Sequence, residues 1–117
     1  MEHGRVLVVS DRPDRRNFLQ YYIKHRGITP IWYPNIFAAK KALNVDPFIM
    51  IVVDLSIPIE TKISLIKESC KHNPRMSIIT LGKQGYLEKK ISLSPGSSLT
   101  SIDSIDSFPE KIAEYGV

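Results

Sequence analysis

The stretch "IMIVVDLSIPIE", residues 49–60, shapes the interpretation of the whole chain. Its first residues are apolar and mostly β-branched, a run typical of a strand that is buried on both faces of a sheet. The run ends on a carboxylate, Asp54, and Pro58 follows shortly after it. The rest of the sequence must therefore explain why a core strand leads directly into an acid.

Apolar runs and helical patterns alternate along the chain. Strands are predicted over residues 5–9, 28–33, 48–54, 76–81 and 98–102. Helices are predicted over residues 13–26, 35–43, 60–71, 86–93 and 110–115. Asn35 is a predicted helix cap, and residues 107–110 form a predicted Ser-x-x-Glu capping box before the last helix. Pro30 places the second strand near an edge of the sheet, since proline donates no ladder hydrogen bond.

Strands that alternate with helices at this spacing predict parallel pairing through right-handed crossovers. The predicted fold class is α/β, a three-layer α/β/α sandwich built around a five-stranded parallel sheet. The chain has 117 residues, of which 43% are hydrophobic and 24% charged. This length suits a single domain, residues 1–117, with a substantial core.

Composition argues against several classes of protein. The sequence contains no long apolar segment and no secretory signal, which predicts a soluble, cytoplasmic protein without a membrane partner. The net charge is +4, but the basic residues are spread along the chain, so a solvated surface is favoured over a nucleic-acid interface. The histidines are isolated and show no zinc or calcium spacing.

Two acids are predicted at the same edge of the sheet. Open α/β sheets place their sites at the carboxyl ends of strands, where Asp54 follows the third strand and Asp11 follows the first. Carboxylates held together there repel unless they share a proton or bind a hard cation such as Mg²⁺. With the cation bound, Asp54 would be a nucleophile toward phosphorus. Helix capping remains an alternative for Asp11 and for Asp54.

The segments "RVLVVSDRPDRRNFL", "IMIVVDLSIPIE" and "MSIITLG" together resemble the receiver domain of bacterial response regulators, the CheY-like domains. The resemblance covers residues 5–82 and becomes degenerate in the C-terminal third. It implies a flavodoxin-like (βα)5 fold that accepts a phosphoryl group on Asp54 from a histidine kinase or phosphotransfer protein. It also implies Mg²⁺ bound by Asp11, Asp54 and the backbone carbonyl of Ser56. Ser10 replaces a second acid of the family and weakens that site.

The later landmarks of the family match less well. Thr80 is the candidate for the hydroxyl residue at the end of the fourth strand, although Gly82 lies about as near the expected place. Lys83 follows that strand directly and is a hypothetical substitute for the family's lysine. A solvated surface role is the alternative for Lys83.

The family's lysine after the fifth strand is absent, and Ser101 or Asp103 stands there. The glycine that usually follows the proline is Lys62. The family's lysine links phosphorylation to the switching surface. These departures therefore argue against the family's switching mechanism more than against its fold.

Three functions remain open. The first is a phosphorylatable receiver that relays a conformational change, alone or fused to an effector domain. The second is a pseudo-receiver, a phosphorylation-independent module that binds a downstream protein. The third is a flavodoxin-like binder of a small ligand, which is disfavoured because no phosphate-binding loop follows the first strand. None is an enzyme in the sense of turning over a free substrate.

Overall fold

The sheet holds five parallel strands in the order β2-β1-β3-β4-β5. The computed structural model describes residues 4–54, 58–82 and 95–114. The strands are β1 (Arg5–Ser10), β2 (Thr29–Tyr33), β3 (Met50–Asp54), β4 (Ser77–Leu81) and β5 (Ser98–Ile102). The predicted five-stranded parallel sheet is confirmed, and β5 has the predicted bounds.

Helices cover both faces of the sheet. They are α1 (Pro13–Lys24), α2 (Ile36–Val45), α3 (Ile59–His72) and the short α4 (Phe108–Ile112), which follows a 3₁₀ turn (Ile105–Ser107). Buried residues of α2 and α3 pack on one face of the sheet, and those of α1 and α4 pack on the other. The predicted three-layer α/β/α sandwich is therefore confirmed. The predicted helix 86–93 lies outside the described residues.

The core is divided between the two faces by the alternation of strand side chains. In β3, Ile51 and Val53 point toward α2 and α3, while Met50 and Val52 point toward α1 and α4. Every residue of β3 is buried, as the apolar run of residues 49–54 predicts for a central strand. The edge strand β2, which contains Pro30, is less buried throughout.

Local signals in the sequence set two helix boundaries. The side chain of Asn35 accepts a hydrogen bond of 2.8 Å from the backbone N–H of Ala38, which confirms the predicted cap of α2. After α1, the chain turns through Gly27 at φ 74°, a conformation that glycine adopts without a Cβ clash. Both signals are short-range, so the sequence was sufficient to find them.

The predicted capping box at residues 107–110 is wrong. Ser107 makes no side-chain cap hydrogen bond, because its backbone is already helical as the last residue of the 3₁₀ turn. Its hydroxyl therefore cannot take the extended position from which a cap reaches forward. Instead, Ser104 caps the preceding turn by accepting from the backbone N–H of Asp106 at 3.2 Å.

Within residues 4–54, 58–82 and 95–114, no helix has both the length and the apolar content needed to cross a membrane.

Candidate functional site at the carboxyl edge of the sheet

The strand order reverses direction between β1 and β3. β2 lies on one side of β1, whereas β3, β4 and β5 follow one another on the other side. At such a switch point the following helices leave on opposite faces, and a crevice opens beyond the carboxyl ends of the two strands. Ser10 and Asp54 are the last residues of β1 and β3 and are partners in the parallel register. The structure thus places Asp54 at the mouth of this crevice.

Asp54 is buried and each of its oxygens accepts a hydrogen bond. Only 5% of the surface of Asp54 is exposed to solvent. Oδ1 accepts from Arg15 Nη1 at 2.8 Å, and Oδ2 accepts from Ser10 Oγ at 3.1 Å. The Arg15 contact is a charge-assisted bond, which is about twice as strong as a neutral one. The negative charge of Asp54 at the end of the core strand is therefore stabilised by donors of the same chain.

α1 carries Arg15 into the crevice because the helix begins directly after the edge. Pro13 occupies the first helical turn, where its missing N–H costs nothing, and Arg15 follows within that turn. The next residue, Arg16, lies over the ring of Trp32 at 4.6 Å from the centroid. The indole of Trp32 donates to the backbone oxygen of Ser10 at 3.0 Å. Trp32 is thus a built-in fluorescent reporter on the end of β1.

Lys62 brings a second cation to the same edge. It lies on the inner face of α3 and is only 2% exposed. Burial lowers the pKa of Lys62, and the negative charges of Asp54 and Asp11 oppose that shift. Both carboxylates therefore act electrostatically on one ammonium group. A methyl group at Gly82, just beyond β4, would lie 3.9 Å from Lys62 Nζ.

The other predicted residues have different placements. Asp11 is exposed, next to the end of β1. Thr80 lies in step with Ile78, on the face covered by α2 and α3, whereas Asp54 lies on the opposite face. The Thr80 hydroxyl is 2.9 Å from Ser101 Oγ. Its role as a switch hydroxyl stays a prediction, which this placement does not support. Ser56 and Lys83 lie outside the described residues.

Sequence reasoning missed the two cations of the site, Arg15 and Lys62. Lys62 was noted only as the loss of a glycine, although its spacing from Leu65, Ile66 and Ser69 puts it on the buried face of α3. An ionisable residue on the inner face of a helix is a signal, because lysine is almost never fully buried unless it is paired. Arg15 had no comparable signal, since its neighbours in the sequence are also charged.

The described residues do not fit a divalent cation. A Mg²⁺ site needs several oxygen ligands with net negative charge. Here Asp54 already accepts from Arg15 and Ser10, and the ammonium of Lys62 lies within the field of Asp54 and Asp11. Among the residues described, no three His, Cys, Asp or Glu side chains are grouped together. The implied Mg²⁺ therefore competes with cations that belong to the protein.

Comparison with solved structures identifies the fold. A transiently phosphorylated switch of bacterial signal transduction superposes with a TM-score of 0.75 at 20% identity, over 97% of this chain and 92% of the other. The response regulator TrrA of Thermotoga maritima, in complex with Mg²⁺ and BeF, gives a TM-score of 0.72 at 22% identity over 95% and 97%. TrrA bound to the histidine kinase ThkA gives 0.65 at 21% over 95% and 97%.

No family profile and no curated relative matches the sequence. The structural matches nevertheless extend over nearly the full length of the chain. The chain has the fold of response-regulator receiver domains, the CheY-like flavodoxin fold with strand order 2-1-3-4-5. The resemblance drawn from the sequence is thereby confirmed at the level of the fold.

Proposed function

We propose that this protein is a receiver-like interaction module of two-component signalling that works without phosphoryl transfer to Asp54. One observation carries this proposal: both oxygens of Asp54 are engaged, Oδ1 by Arg15 at 2.8 Å and Oδ2 by Ser10 at 3.1 Å. Each bond occupies one lone pair of its oxygen and stabilises the negative charge, which lowers the reactivity of the carboxylate as a nucleophile.

Burial adds to this effect. Asp54 is 5% exposed, while the Arg15 side chain that faces it is 29% exposed. A phosphoryl donor approaching from the crevice would meet the guanidinium first. Displacing Arg15 would break the charged hydrogen bond to Oδ1 of a buried carboxylate, which is costly. The resting geometry therefore favours a constitutive structure over a phosphorylation switch.

The partner we propose is a protein of a two-component pathway in the cytoplasm. A histidine kinase or phosphotransfer protein is one candidate, because a regulator of the same fold binds a histidine kinase. A downstream protein or a fused effector domain is the other. In either case the receiver-like surface binds the partner protein, and no free substrate is turned over.

A phosphorylatable receiver is the second candidate function. It is favoured by the register that brings Asp54 to the carboxyl edge opposite Ser10, next to the exposed Asp11. In that case Mg²⁺ would be held by Asp11, Asp54 and the backbone carbonyl of Ser56, and Arg15 would have to leave Oδ1. The two candidates thus differ in whether Arg15 can be displaced.

Phosphodonor treatment separates the two candidates. The wild-type protein is incubated with acetyl phosphate and Mg²⁺, and its intact mass is compared with that of Asp54→Asn. We expect no phosphoryl adduct on the wild type, and no change in Trp32 fluorescence when beryllofluoride and Mg²⁺ are added. Asp14→Asn, which removes an exposed acid of α1, is the matched control. A phosphoryl adduct that disappears in Asp54→Asn but persists in Asp14→Asn would select the phosphorylatable receiver.

A further inference from the structure

We propose that the buried ammonium of Lys62 is the resident cation of the Asp54 and Asp11 carboxylates and takes the place of a divalent metal ion. This deepens the proposed function, on which it rests, because it states why the site does not recruit the metal that supports phosphoryl transfer. The cation is covalently part of α3 and is present in every molecule at every metal concentration.

The first support is the position of Lys62 on α3. It shares the buried face of the helix with Leu65, Ile66 and Ser69, and it is 2% exposed. A lysine so placed extends to water, loses its proton or meets negative charge, since an isolated buried ammonium is far too costly. Because the side chain is buried, it does not extend to water. Asp54 and Asp11 supply the negative charge.

The second support is the space left at the end of β4. Gly82 has φ 126°, a conformation that residues with a side chain rarely adopt. Its backbone N–H donates to the oxygen of Ile102 at 2.9 Å, which ties the turn to β5. A Cβ at this position would lie 3.9 Å from Lys62 Nζ, and a longer side chain would reach the ammonium group. The ammonium of Lys62 therefore lies beside Gly82, at the carboxyl end of β4.

The third support is charge balance at the edge of the sheet. The two carboxylates, Asp11 and Asp54, carry two negative charges, and the two cations, Arg15 and Lys62, carry two positive charges. These four described residues together are neutral without any metal ion. Adding Mg²⁺ would give it a net charge of +2 and would place the ion in the repulsive field of the Lys62 ammonium. Removing that ammonium should open the site to a divalent ion.

Divalent-ion binding tests this inference directly. Mn²⁺ is titrated into the protein without a phosphodonor, binding is followed by water-proton relaxation, and Mg²⁺ is added as a competitor. We expect Lys62→Ala to bind Mn²⁺ at least about tenfold more tightly than the wild type, because a positive charge beside the carboxylates has been removed. Lys67→Ala removes an exposed lysine of the same helix and should match the wild type.

Two further variants keep the result interpretable. Lys62→Met retains a long buried side chain without the charge, and it replaces Lys62→Ala if that variant melts below the working temperature. We expect it to bind Mn²⁺ more tightly than the wild type as well. Adding Asp54→Asn to either variant should abolish the gain. Wild-type binding as tight as that of both Lys62 variants, or a gain that survives Asp54→Asn, would overturn the inference.

The two proposals fail in different ways. Tight Mn²⁺ binding by the wild type, with no phosphoryl adduct on Asp54, would overturn the role of Lys62 and leave the proposed function intact. An Asp54-dependent adduct on the wild type would overturn the proposed function, whatever the Mn²⁺ titration shows.

Discussion

Asp54 illustrates how a single residue connects the core to the site. A carboxylate that is 5% exposed would be strongly destabilising without partners, because burial removes its hydration. Arg15 and Ser10 replace that hydration with two hydrogen bonds of fixed geometry. The same two bonds limit the chemistry of the carboxylate, so stability and reactivity are coupled at this residue.

Replacing Arg15 tests this compensation. We expect Arg15→Ala to lower the free energy of unfolding by about 1.5–3 kcal/mol at neutral pH, the usual contribution of a hydrogen bond to a charged group. The measurement is urea denaturation followed by Trp32 fluorescence and circular dichroism.

Arg12→Ala is the matched control for this prediction. Arg12 pairs with Asp14 at 3.3 Å, but both side chains are largely exposed, at 49% and 68%. Exposed pairs contribute at most about 1 kcal/mol. Equal losses in the two variants would show that the Arg15 contact compensates no buried charge.

At the scale of elements, α1 and α3 deliver the cations because both helices begin at the carboxyl edge. α1 starts shortly after β1, and α3 starts shortly after β3. The amino-terminal ends of these helices also carry partial positive charge, which favours carboxylates nearby. The two helices cover opposite faces of the sheet, so Arg15 and Lys62 approach the edge from two sides.

The stability of α2 depends in part on the hydrogen bond that caps its amino-terminal end. α2 begins after Asn35, whose side chain accepts from the backbone N–H of Ala38 at 2.8 Å. We expect Asn35→Ala to lower the free energy of unfolding by about 1 kcal/mol, since one N–H of the first turn loses its acceptor. Asn44→Ala, at the exposed end of the same helix, is the control. Urea denaturation should show little or no loss for that variant, because alanine is the better helix former.

For the whole molecule, the two faces of the sheet are not closed in the same way. Long helices cover β1 and β3 on both sides. Over β4 and β5, the face shared with α1 is closed by the short α4, whose Phe108 is fully buried. This one ring packs in the same cluster as Leu81 and Ile102, at the ends of the last two strands. Among the described residues, α4 buries only Phe108 and Ile112 on this face.

Removing that ring should therefore be severe. We expect Phe108→Ala to cost about 3–5 kcal/mol of unfolding free energy, the range for deleting a buried phenylalanine side chain. Phe37, which is 71% exposed with Lys41 over its ring, offers a control of the same residue type. Phe37→Ala should cost less than about 1 kcal/mol. Similar denaturation midpoints for the two variants would contradict the assigned role of Phe108.

The sequence by itself determined the layers, the strands and the placement of Asp54. Hydrophobic periodicity is a local property, so the buried run of residues 50–54, the cap at Asn35 and the edge strand with Pro30 could all be found without coordinates. The parallel pairing of the strands then followed from the alternation of strands and helices along the chain, which predicts right-handed crossover connections.

Only the tertiary structure decided what Asp54 meets. Arg15 is distant from Asp54 in the sequence, and although the pattern of α3 puts Lys62 on its buried face, no local pattern states where a long side chain ends. The direction of such a side chain depends on the helix rotation and on the space left by other elements. That is why the sequence predicted the acids at this edge and missed the cations Arg15 and Lys62 that lie beside them.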